Sequence, residues 1–171
     1  MLEAEGRSEE AQAARWTAFS QTLDPRHLRD FVARLPDFDD VEAIDRAHAL
    51  AAAWSDASRG LAFLMEWPAL REAAAMVMAR ADHFRGLNDA VPLWVSRLED
   101  RYPAAALVLI RSRARALAQL GPTRVEEVRT LSTEAADLAI QAGPLDGLET
   151  HAAFIDSLEA LSSRSVRHRW G

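Results

Sequence analysis

Three arginines, Arg111, Arg113 and Arg115, stand at alternate positions after an apolar run that opens at Tyr102-Pro103. A guanidinium is a permanent cation with its N–H donors in a rigid fork, so this comb could hold carboxylates or phosphates. On a helical wheel Arg111 and Arg115 fall with Ser112 and Gln119 on one polar stripe, expected at the surface. Arg113 falls elsewhere, between Leu109 and Leu120. An arginine there must be paired, or must extend its head to water at a helix–helix seam. The next helix offers Glu127, Glu134 and Asp137 as an acidic stripe. A second cationic group, Arg164, Arg167, His168 and Arg169 beside Trp170, could grip an acidic groove or a nucleic-acid backbone. Trp170 could equally fold back and close the end of the helices.

The other reactive side chains form no known constellation. His151 lies among Phe154, Ile155, Leu158 and Leu161, which reads as a core histidine bonded to a backbone carbonyl. The remaining histidines are dispersed, and none has the spacing that puts two imidazoles on one metal. Asp37, Asp39, Asp40, Glu42 and Asp45 lack the central glycine and the closing glutamate of a calcium loop. Helix capping and the helix dipole account for these acids. There is no glycine-rich phosphate loop and no nucleophile elbow. The expectation is therefore no catalytic residue, no metal and no cofactor.

Composition narrows the classes further. The chain has 171 residues, a net charge of −6, no cysteine, and arginine as its only strongly basic residue. Disulfides and thiolate metal sites are excluded. No apolar run approaches the ~20 residues that span a bilayer. The acidic opening, Met-Leu-Glu-Ala-Glu-Gly, is unlike a signal or transit peptide, so a cytoplasmic location is expected. Residues 1–57 hold twelve acids and six arginines, 58–121 six and nine, and 122–161 eight and two. The last ten residues hold three arginines and no acid. Such alternation points to layers that neutralise one another. A nucleic-acid binder would gather its positive charge on one surface.

Helix signals recur along the whole chain, and strand signals are nearly missing. Alanine is common, which favours close-packed helices. A first helix is predicted over 8–22, with Trp16 and Phe19 on one side. Asp24-Pro25 pairs an N-cap with proline at the first helical position, and Pro36 stops the helix it opens. Asp39 and Glu42 have capping-box spacing before a helix carrying Ala43, Ala47 and Trp54. Further helices are expected over 59–67, 69–84, 88–101 and 102–120. Gly121-Pro122 is a stop, and Thr123-Arg-Val-Glu126 reads as a second capping box. The helix it starts runs to Gly143-Pro144, and a last one covers 148–161. Turns of a few residues imply antiparallel neighbours. The fold class expected is all-α, an irregular antiparallel helical bundle or tetratricopeptide-like repeat of about seven to nine helices. Residues 1–171 read as a single helical domain, with an N-terminal hairpin over 1–36 able to pack separately and a basic tail over 162–171.

From Leu35 onward the chain resembles an uncharacterised bacterial family of all-helical proteins. That family is itself similar to the tetratricopeptide-like C-terminal regions of SWIM-type zinc-finger proteins. The matching stretches are Leu35-Pro-Asp-Phe-Asp-Asp40, Leu61-Ala-Phe-Leu-Met-Glu-Trp-Pro-Ala-Leu70, Arg101-Tyr-Pro-Ala-Ala-Ala-Leu-Val-Leu-Ile-Arg111, His151-Ala-Ala-Phe154 and Arg167-His-Arg-Trp170. The resemblance implies a helical-repeat fold. It implies no activity, and without cysteine no zinc role.

Three functions follow as expectations. The first is a non-enzymatic protein-interaction module, binding a protein partner or itself through apolar residues near Trp67, Leu93 and Trp94. The second is a nucleic-acid-associated regulator using the comb and the tail, against which the net charge argues. The third is a small-molecule or enzymatic site between helices, centred on Arg111, Arg113 or His151.

Overall fold

The computed structural model describes residues 2–36, 38–84 and 86–167, with side chains for 6–36, 38–84 and 86–163. Among these residues there are nine α-helices and no strand. The fold is all-α, and the helices fall into two compact units, residues 1–73 and 74–171.

In the first unit, α1 (Leu2–Thr22) packs on α2 (Pro25–Val32), and α3 (Asp39–Ala52) packs on α4 (Ala57–Glu66). Leu23, buried with φ of 51°, ends α1. Asp24 then caps α2 by accepting the Arg26 N–H at 2.9 Å. Phe19 is fully buried and lies 5.5 Å from Trp16 and 5.2 Å from Phe63, ring centre to ring centre. These aromatic contacts join α1 to α4. Arginines cover the outer rings: Arg46 lies 4.0 Å over Trp16 and Arg29 5.4 Å over Trp67.

The capping box at Asp39 and Glu42 does not form. Asp39 is already the first helical residue of α3, and the cap position belongs to Phe38, whose φ is 78°. Within the first turn it is Asp40 that accepts an N–H, that of Val41 at 3.0 Å.

His48 on α3 is half-buried, and its Nε2 has no hydrogen-bond partner among the described residues. Burial pushes its pKa down, while Glu72 and Asp45 push it up and Arg71 again down. Its folded value therefore lies below its unfolded one. The unfolded chain takes up a proton first as pH falls through about 6.5, so stability declines from there toward the folded value. Because the ring is only half-buried, screening keeps the effect below about 1 kcal/mol. Urea unfolding at neutral pH and at about pH 5.5 should show a loss that His48→Gln reduces. An unchanged pH difference in the variant would rule this out.

Helix α5 (Leu70–Ala79) leads into the second unit. It ends earlier than the span to 84 that its periodicity predicts. The chain tightens into a 3-10 turn at Ala81–His83, and Phe84 is extended. The second unit is completed by α6 (Val91–Leu98), α7 (Pro103–Gln119), α8 (Val125–Ala142) and α9 (His151–Arg167). Asn88 accepts the Ala90 N–H at 2.9 Å just before α6. Helix α7 packs against α6, α8 and α9, as its nearly all-apolar first half requires. Ala105 to Ile110 are all buried.

The second capping box is also absent. Gly121, with φ of 101°, turns the chain into a 3-10 turn at Pro122–Arg124. Helix α8 therefore starts at Val125, with Arg124 at the cap position and no side-chain cap. Glu126 instead pairs with Arg129 at 3.0 Å, one turn on.

Candidate functional site

The arginine comb sits on the second half of α7, where the helix leaves its apolar stretch and meets two loops. Arg113 turns to one side, and Arg111 and Arg115 share neighbours on the other. Arg113 points to the loop after Phe84: its Nη1 donates to the Gly86 and Asn88 carbonyls at 3.3 Å each. Its Nη2 lies 3.7 Å from Glu127 on α8. This is the seam position with an acidic partner on the following helix, as the wheel predicts.

Arg111 overturns the other half of that reading. The wheel puts it with Arg115 on a surface stripe, yet it is only 3 % exposed. The segment between α8 and α9, and α9 itself, cover that side of α7. Arg111 Nη1 donates to the Glu149 carbonyl at 2.8 Å, and its guanidinium lies 5.1 Å over the Phe154 ring. Arg115 lies 5.2 Å over the same ring. It also donates to the Ser157 hydroxyl at 3.2 Å and pairs with the Glu149 carboxylate. Burial holds the Arg111 pKa below its ordinary value; Glu149 opposes this and Arg115 reinforces it. The group stays cationic all the same.

A cavity of about 650 Å3 opens beside this pair. Arg111, Ser112, Arg115, Glu149 and Asp82 supply its polar wall, and Phe84, Val108 and Leu148 much of its apolar wall. The volume lies in the range of small-molecule sites, about 300–1,000 Å3. What the arrangement offers chemically is two arginines and two carboxylates on one polar wall, beside an apolar wall that includes Phe84.

The other sequence candidates are placed as follows. His151 begins α9, half-buried, with its ring tilted 5.8 Å from Phe154. Its Nδ1 is buried without a hydrogen-bond partner among the described residues, so that atom does not make the expected carbonyl bond. Trp67 is half-buried and stacks on Phe63 at 5.9 Å. Trp94, expected near an exposed patch, is core at 4 % exposure, because it lies with Val91, Val95 and Leu98 on the buried side of α6. Its neighbour Leu93 is 58 % exposed. Arg164 and Arg167 lie within the span of α9, but their side chains are outside the described residues. Arg169 and Trp170 lie outside the described residues altogether.

Sequence reasoning passed over Glu149 and Gly86 because both sit in loops without periodicity. The turn Leu-Asp-Gly-Leu-Glu149 after Gly143-Pro144 was the available signal that a short acidic loop returns toward the arginines. Among the described residues, no group of three His, Asp or Glu side chains gathers around a common point for a metal ion. No described helix is long and apolar enough to cross a membrane.

No curated protein and no solved structure matches the chain. Residues 1–168 match the model of a family of unknown function (DUF6880), and the chain belongs to that family.

Proposed function

We propose that the chain is a non-enzymatic, cytoplasmic helical-repeat module that binds a partner protein or a second copy of itself. One observation carries this reading: Phe38 is 87 % exposed at the start of α3 and holds φ at 78°. A left-handed backbone costs a residue with a β-carbon ~1–2 kcal/mol, and Ser, Asp or Asn would cap a helix better there. Val41, three residues on, is also exposed. An apolar pair kept in water at a local cost is a surface that another chain can bury. The resemblance to tetratricopeptide-like regions of SWIM-type zinc-finger proteins supports the same reading, since stacked helices present ridged surfaces. The arginine comb adds weight against nucleic acid, because Arg111, Arg113 and Arg115 all have partners within residues 74–171.

Size-exclusion chromatography with light scattering, joined to photo-crosslinking from position 41 in the native host, tests this. The expected result is a dimer or a specific crosslinked adduct that Phe38→Asp abolishes. A strict monomer that yields no adduct overturns it.

A further inference from the structure

We infer that the cavity beside α7 binds a small organic monocarboxylate, whose carboxylate meets Arg111 and whose apolar body lies against Phe84, Val108 and Leu148. The inference is independent of the Phe38 surface, which lies in the other unit.

Its foundation is the uneven pairing of the two guanidinium groups. Arg115 is satisfied by the Glu149 carboxylate and by Ser157. Arg111 is far more buried, yet among the described residues it makes no ion pair and one hydrogen bond, to a neutral backbone carbonyl. Its Nε is buried with no hydrogen-bond partner among the described residues. A buried cation with no direct ion pair is destabilising, and a buried donor left unsatisfied in a native structure calls for an explanation. The Phe154 ring lies within 5.2 Å of both guanidinium carbons, and that cation–π contact helps hold the two side chains beside the cavity.

The cavity also limits the charge of what it can take. Glu149 and Asp82 line the same space as Arg111 and Arg115. A dianion such as a phosphate monoester would gain at Arg111 but meet repulsion from both acids. A monocarboxylate carries half the charge of a dianion, so it meets less of that repulsion while giving Arg111 a direct ion pair. The apolar part of the wall then favours a hydrocarbon or aromatic body over a bare ion.

Calorimetric titration and ligand-observed NMR on the full chain test the assignment, with phenylbutyrate, its neutral analogue phenylbutanamide, and inorganic phosphate as probes. Phenylbutyrate is expected to bind about tenfold or more tightly than either of the others. Arg111→Gln should remove that preference, and Arg124→Gln, whose side chain does not line the cavity, should keep it. Ala116→Leu retains both arginines and narrows the cavity, so it should weaken binding even if Arg111→Gln fails to fold. Equal affinity for acid and amide overturns the proposal, as does tighter phosphate binding. Binding that Ala116→Leu leaves unweakened overturns it too, and so does no phenylbutyrate binding up to about 10 mM.

Discussion

Gly86→Ala is expected to destabilise the protein by about 3 kcal/mol or more. Gly86 is buried with φ of 69°, a conformation that L side chains rarely adopt. A β-carbon there would lie 2.6 Å from the Arg113 Cα and closer still to the Ser112 carbonyl group. These are backbone atoms in the middle of α7, so no flexible side chain can move aside. The close approach is built by hydrogen bonds on either side of the glycine. The Ser112 hydroxyl donates to the Phe84 carbonyl, and Arg113 donates to Gly86 and Asn88. Gly6→Ala is the matched control. Gly6 lies in α1 with nothing within 4 Å of its would-be β-carbon, so alanine there should be neutral or stabilising by up to about 1 kcal/mol. Urea unfolding of both variants gives the comparison, and a Gly86→Ala midpoint equal to the parent's would sink the account of this loop.

Phe154→Ala should be comparably severe, at about 3–5 kcal/mol. Phe154 is fully buried, and its ring is the surface on which Arg111 and Arg115 rest and against which His151 tilts. Truncation leaves a cavity and also removes the ring face that stabilises two cations. Phe154→Leu separates the two effects. It restores most of the volume without the ring, so its residual cost, about 1–2 kcal/mol, reports the arginine contacts. If leucine restored parental stability, the ring would be acting as filler alone.

The helical plan of the second unit was readable because its signals are local. Pro103 opens α7 and Gly121-Pro122 closes it; Gly143-Pro144 closes α8. Each works through φ and a missing or unneeded N–H, which involves no residue far away. The two capping boxes were misread for a related reason. Spacing alone pairs Asp39 with Glu42 and Thr123 with Glu126, but a cap also needs the preceding backbone to stop short of the helix. Phe38 and Gly121 place the first turn elsewhere.

The site divides along the same line. Arg113 was placed at a seam from its wheel position, because α8 follows by a short turn and must pack on the same side. Arg111 could not be. Its burial is made by residues 143–150 and α9, which reach it from more than thirty positions downstream through Glu149 and Phe154. A wheel gives the direction of a side chain around its own helix and nothing about what arrives from outside. By itself, then, the sequence determined an all-α chain, the helix stops set by glycine and proline, and a comb of arginines divided between two directions. Only the tertiary structure decided which arginine lost its water, because burial is a property of packed neighbours and the covering loop carries no periodicity to announce itself.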